Sequence, residues 1–314
     1  MQITLARNSG FCFGVKRAIK LAEETAAKYG HAITIGPIIH NPQMVEQLNN
    51  VGIKVVDDVD SIKDGPVIIR SHGIPFEYLQ TLNNKKIKII DATCPYVAKA
   101  QEFAKLADKE NYDILILGDP SHPEIVALKS YVKSNVLVWH ENDELPLNNY
   151  NKVAIICQTT QNIKNLDTLT QSLLPNCKEL RIFNTICNTT YMRQEASLEL
   201  AKRSDIMIVI GGKNSANTLM LAKLCSDYTI TKHIETVDEI EDMWFSEFLR
   251  SSISKGITTT EKKKENIGIT AGASTPDVII ADIYNKIKVI VGEGDTQIEL
   301  IEDIPSYKEE PNEY

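Results

Sequence analysis

The sequence predicts an α/β fold of three pseudo-equivalent parallel lobes arranged around one centre. Three observations carry this. Helical and strand-like periodicity alternate along the chain. The alternation restarts at three cysteines. The distance from each of those cysteines to a glycine is the same. Alternating strands and helices read as parallel α/β units, and a fixed spacing marks repeated structure.

Cys12 opens the first copy. Val15, Ala18, Ile19 and Ala22 recur at helical spacing in the stretch Val15 to Lys28, and Gly30 is placed to end that helix. The apolar run Ala32 to Ile35 then predicts a strand, closed by Gly36. Cys94 opens the second copy, with a helix from Pro95 to Lys109, a strand from Ile114 to Leu117, then Gly118. Cys187 opens the third, with a helix from Thr190 to Lys202, a strand from Ile206 to Ile210, then Gly211. Each cysteine precedes its glycine by 24 residues, and four residues further lie His40, His122 and Ser215.

A second strand follows in each copy: Val67-Ile68-Ile69 before Arg70-Ser71-His72-Gly73, Ala154-Ile155-Ile156 before Cys157-Gln158-Thr159-Thr160, and Ile267-Gly268-Ile269 before Thr270-Ala271-Gly272-Ala273-Ser274. Ligands of parallel α/β folds sit beyond the carboxyl ends of the strands, where all these turns fall. The expected lobes are 1–93, 94–186 and 187–290, with a C-terminal tail over 291–314. Within lobe three, Ser251 to Asn266 reads as a solvated surface loop, and Pro305 to Tyr314 as an acidic, extended end.

With 314 residues, 43% of them hydrophobic, the chain can bury a large core. A net charge of -8 argues against a nucleic-acid backbone as partner. No apolar run is long enough to span a bilayer, and the start of the chain lacks the features of a signal peptide. A cytoplasmic protein is therefore expected, working on a small molecule and not on a membrane or nucleic acid. In that reducing setting the six cysteines should not be structural disulfides. Cys157, Cys177 and Cys225 are read as small buried hydrophobes.

Cys12, Cys94 and Cys187 are different because each starts a helix. A helix N-terminus favours a thiolate, and three lobes would bring three such sulfurs to one axis. Three soft ligands suit an iron–sulfur cluster or zinc. A closed cluster takes four cysteines, so three would leave one iron open as a Lewis acid. A zinc-dependent enzyme or structural zinc protein using the same three cysteines is the alternative. A lone nucleophilic cysteine would leave the repeat unexplained.

The strand ends add His40, His72, His122, Glu124, Thr159, Ser215, Asn217 and Ser274. These are mostly small neutral donors and imidazoles. With backbone N–H groups of the turns Gly268 to Ala273 and Gly211-Gly212, they could hold a phosphate without a cluster of Lys and Arg. Glu124 is the one carboxylate among them and the natural proton carrier, although a glutamate after Pro123 also suits a plain helix start.

Together the segments Asn8-Ser9-Gly10-Phe11-Cys12-Phe13-Gly14-Val15, Arg70-Ser71-His72-Gly73, Asp91-Ala92-Thr93-Cys94-Pro95, Ser121-His122-Pro123-Glu124, Gln158-Thr159-Thr160, Lys213-Asn214-Ser215-Ala216-Asn217-Thr218 and Thr270 to Asp277 resemble the 4-hydroxy-3-methylbut-2-enyl diphosphate reductases. The motifs run in order from residue 1 to about 285. The resemblance implies a 4Fe-4S cluster on Cys12, Cys94 and Cys187, and Glu124 as proton donor. It places Thr159 near the substrate hydroxyl, and His40, His72, His122, Ser215, Asn217 and Ser274 on the diphosphate. Many members carry a second serine where this chain has Ala216, which implies a backbone contact there. The resemblance also implies a flavodoxin or ferredoxin as electron donor. Lys16, Arg17 and Lys20, close behind Cys12, form a candidate basic docking patch for it. A monomer is expected.

Overall fold

The structure is a computed structural model that describes residues 2–141, 143–146, 148–245 and 266–291. The chain opens with strand β1 (Gln2–Leu5) and helix α1 (Phe13–Tyr29), then β2 (Ala32–Ile35), α2 (Pro42–Asn50), β3 (Ile53–Val56), β4 (Val67–Ile69), α3 (Phe76–Asn84) and β5 (Ile89–Asp91). The second stretch comprises α4 (Pro95–Lys109), β6 (Asp113–Leu117), α5 (Pro123–Ser130), β7 (Val136–Trp139), β8 (Tyr150–Cys157), α6 (Ile163–Leu173) and β9 (Cys177–Phe183). The third comprises α7 (Asn188–Ala201), β10 (Ile206–Ile210), α8 (Ala216–Ser226), β11 (Ile230–Ile234), β12 (Asn266–Ala271) and α9 (Asp277–Val291).

Among the described residues the strands form three four-stranded sheets, β3-β2-β4-β5, β7-β6-β8-β9 and β11-β10-β12-β1. Every pairing is parallel. Parallel sheets are covered on both faces, so their central strands are continuously apolar. The five residues of β10 are all buried, as are Ile114 to Leu117 of β6. Apolar clusters line both faces of each sheet. In lobe one, for example, Ala18 and Ala22 of α1 pack with Ile53 and Ile68, while Val67 and Ile69 face Ile74 and Leu82.

The three sheets superimpose in strand order, and this corrects one boundary. The fourth strand of each sheet is the one that leads into the next cysteine: β5 before Cys94, β9 before Cys187, β1 before Cys12. Expected lobe one (1–93) therefore contains a strand of lobe three, since β1 pairs with β12, Ile3 opposite Ile267. The strand before Cys12 closes the third sheet. Periodicity identifies a strand but not the sheet it joins. The helix boundaries agree to within two residues: α1 starts at Phe13 where Val15 was expected, and Gly30 ends it at φ 77°. Most of the loop 251–266 and the tail residues 292–314 lie outside the described residues. Among the described residues no helix is long and apolar enough to cross a membrane.

Candidate active site

Each of the three repeat cysteines is the N-cap of its helix, in extended conformation. Each is also tied by its backbone to the strand-end turn of the preceding lobe. Cys94 N–H donates to the carbonyl of Ser71 at 3.0 Å, Cys187 N–H to Thr159 at 2.9 Å, and Cys12 N–H to Ala273 at 3.1 Å. The three thiols thus sit where adjacent lobes meet, facing one cavity. A Cβ on Gly14 would come within 2.8 Å of Cys94 Sγ and 3.9 Å of Cys12 Sγ. The absent side chain is what lets the sulfur of lobe two reach that of lobe one.

All of His40, His72, His122, Glu124, Thr159, Ser215, Ala216, Asn217 and Ser274 line this same cavity with Cys12, Cys94 and Cys187. The three imidazoles pack together, with ring centroids 4.6 Å apart for His40–His72, 5.7 Å for His40–His122 and 5.5 Å for His72–His122. Burial lowers all three pKa values, His122 to about 4 and His72 well below the usual value, so they are neutral near pH 7. His122 caps α5, its Nδ1 accepting from Glu124 N–H at 3.2 Å. That tautomer leaves Nε2–H as a donor. His40 Nε2 is buried with no partner among the described residues.

Ser215 caps α8 and accepts from Thr218 N–H, which puts Ala216 and Asn217 in the first turn with its free amides. Asn217 is 4% exposed, yet among the described residues neither its Oδ1 nor its Nδ2 has a partner. A buried amide with both ends unpaired is costly to a fold and points to a ligand. Ser274 donates to the carbonyl of His40 at 3.2 Å and so bridges lobes three and one.

Glu124 is 1% exposed and has a close partner in Thr159. Thr159 N–H donates to Oε1 and Thr159 Oγ1 to Oε2, both at 2.7 Å. Burial pushes the carboxyl up to about 7, against the pull of these two bonds. It can therefore carry a proton at neutral pH, in a cavity shared with three sulfurs and a ring of His, Ser and Asn side chains.

A family model described as "LytB protein" matches residues 3–288. The chain belongs to the LytB family. A LytB relative from Syntrophotalea carbinolica, named 4-hydroxy-3-methylbut-2-enyl diphosphate reductase, is 43% identical over 292 residues, 91% of this chain and 98% of that protein. One of the same name from Campylobacter hominis is 43% identical over 294 residues, 92% of this chain and all of the other. The solved structure of (E)-4-hydroxy-3-methyl-but-2-enyl diphosphate reductase, "the Terminal Enzyme of the Non-Mevalonate Pathway", matches with a TM-score of 0.64 at 39% identity, over 92% of this chain and 99% of that one. The E-1-hydroxy-2-methyl-but-2-enyl-4-diphosphate reductase of Plasmodium falciparum matches with a TM-score of 0.76 at 26% identity, over 91% and 87%. Nothing in these LytB relatives supports the zinc alternative.

The LytB site departs from the sequence expectations in five places. First, burial wins over the helix N-termini at the Cys94 and Cys187 thiols. It pushes Cys94 up to about 11, with Cys187 and Cys12 adding repulsion against the backbone N–H groups of Tyr96 and Val97, and it raises Cys187 too. Second, the amides of Gly211 and Gly272 bond to the carbonyls of Ile234 and Ile210, so they serve the fold rather than an anion. Third, Arg17 is not a free member of a basic patch. It donates to the carbonyls of Thr93 and Asp91 at 3.0 and 3.1 Å and so fixes the approach to Cys94. Lys20 pairs with Glu24 on the same helix. Fourth, Arg70 was given no role. Its charge acts on His40, His72 and His122, and it braces the turn through Nε to the carbonyl of Gly73 at 3.2 Å. Its place at the head of Arg70-Ser71-His72-Gly73 was the available signal. Fifth, Cys177 is partly exposed, whereas Cys157 and Cys225 are fully buried as read.

Proposed function

We propose that this chain reduces 4-hydroxy-3-methylbut-2-enyl diphosphate to isopentenyl and dimethylallyl diphosphates. The reaction takes two electrons and two protons and releases the hydroxyl as water. The observation that carries the reading is Glu124, a buried carboxyl held by Thr159 in the cavity that three sulfurs share with an orphaned polar ring.

Cys12, Cys94 and Cys187 would hold a 4Fe-4S cluster. The donor set fits: three soft sulfurs from three lobes face one cavity, those of Cys94 and Cys12 flank Gly14, and burial disfavours the Cys94 and Cys187 thiolates until a cationic centre joins them. When bound, such a cluster supplies electrons one at a time and one open, Lewis-acidic iron.

The chain's own residues do the rest. Neutral His40, His72 and His122 present N–H donors to the diphosphate, with Arg70 behind them as the nearest cation. Ser215, Asn217 and Ser274 add side-chain contacts, and the first turn of α8 at Ala216 adds backbone N–H groups. This fixes the tail of the substrate and directs its hydroxyl to Thr159. Protonated Glu124 donates to Thr159 Oγ1, whose own hydroxyl hydrogen is then free to pass to the leaving oxygen. Hydroxide is a poor leaving group, and water is a good one. The low exposure of Glu124 and Thr159 keeps bulk water from competing for that proton. A small redox protein, flavodoxin or ferredoxin, is the proposed electron donor.

The test is turnover of the allylic diphosphate by protein purified without oxygen, using a chemical one-electron donor. Brown, iron-containing protein that forms both products supports the reading. Iron-loaded protein that leaves this substrate unchanged refutes it.

A further inference from the structure

Arg193 lies on α7, six residues after Cys187, and is 1% exposed. Its Nε donates to the carbonyl of Asn8 at 2.6 Å and its Nη2 to that of Gly10 at 2.7 Å. These carbonyls lie four and two residues before Cys12. Its Nη1 is buried without a partner among the described residues. Among the described residues no carboxylate pairs with it. A guanidinium cannot shed its proton to escape this, so the fold holds a buried cation that lacks a counter-anion. The groups on which its charge acts are the thiols of Cys12 and Cys187, which become negative when they take a metal.

Holding the loop does not require such burial. Arg17 grips the two carbonyls before Cys94 from a half-exposed position on α1. Neutral Gln194, next to Arg193, reaches the carbonyls of Thr160 and Gln161. Either device would serve at Asn8 and Gly10. What only Arg193 adds is a positive charge placed out of water, where it is weakly screened.

We propose that Arg193 is the built-in counter-cation of the three-cysteine centre, positioning Cys12 through its loop and making the addition of an electron to the group held there more favourable. This rests on the cluster reading above. It makes Arg193 a positioning residue, one that acts through the sulfurs and not on the substrate.

The test is a dithionite redox titration, followed by absorbance and electron paramagnetic resonance, of the anaerobically purified full chain and of Arg193→Met and Arg193→Lys. Iron is measured first. The expected result is a midpoint potential shifted negative in Arg193→Met and returned towards wild type in Arg193→Lys. An Arg193→Met protein with wild-type iron and wild-type potential overturns the proposal and leaves Arg193 a loop clamp. If Arg193→Met loses its iron, Arg193→Lys decides. Iron at near wild-type potential upholds the charge role, and a folded, iron-free Lys variant with a wild-type melting point overturns it. Wild-type protein without iron refutes the cluster reading itself, a distinct failure.

Discussion

Thr159 grips Glu124 by both carboxylate oxygens, N–H to Oε1 and Oγ1 to Oε2, each at 2.7 Å. The carbonyl of the same threonine receives the N–H of Cys187 at 2.9 Å. One residue at the end of β8 therefore sets the proton carrier and a sulfur ligand in a fixed relation. This couples the two halves of the proposed chemistry.

Replacing Glu124 by Gln keeps the shape and the bond from Thr159 N–H but removes the transferable proton. General-acid loss is worth on the order of 10²- to 10⁴-fold in rate. Turnover should fall by about that factor while substrate affinity and iron content stay near wild type. Steady-state kinetics with iron analysis checks this, and a drop in iron would make Glu124 structural instead.

The raised Glu124 pKa has a signed effect on stability. The folded state holds this proton up to about pH 7, whereas an ordinary glutamate releases it near 4.5. Between those values the folded state binds more protons, so this group's contribution favours folding below about 4.5 and is lost as pH rises to about 7, by a few kcal/mol in all. Urea unfolding of wild type and Glu124→Gln across this range should show the difference between them changing with that slope. Parallel pH dependences would remove the shift.

Gly14→Ala should separate fold from site. In the first turn of α1 alanine is the better helix former by up to ~1 kcal/mol, yet its Cβ would press on Cys94 Sγ at 2.8 Å. The variant should melt no lower than wild type in the metal-free state and hold much less iron. Calorimetry and iron analysis of the same preparation read both.

Asn217→Ala removes an amide that has no partner among the described residues. Its deletion should cost the empty protein nothing, or stabilise it slightly, while a lost bond to a charged ligand costs about 1.5–3 kcal/mol. KM for the diphosphate should rise roughly 10- to 100-fold with stability unchanged. An unchanged KM would place Asn217 outside the substrate contacts.

Much of this was legible in the residues. The helix Pro95–Lys109 is legible at its observed limits because Pro95 marks a first helical turn. The strand β10 was read entire because five successive apolar residues leave no alternative to a buried strand. The cavity was legible because the repeat puts equivalent residues at equivalent strand ends. Sheet membership was not. β1 is four residues long, and nothing in Gln2–Leu5 says that its partner lies more than 260 residues away. Arg193 was not legible either, since an arginine on a helix reads as solvated and its burial depends on lobes meeting across the chain. The thiol shifts were misjudged for a related reason: local capping shows in sequence, whereas desolvation by two other lobes does not.

The most direct test of the account is the metal content of anaerobically purified wild type beside Cys12→Ser, Cys94→Ser, Cys187→Ser and Cys177→Ser. The account predicts brown wild-type protein with about four irons and four sulfides per chain, the same in Cys177→Ser, and a marked loss in each of the other three. Colourless protein with zinc in place of iron, or Cys94→Ser with wild-type iron, would contradict it.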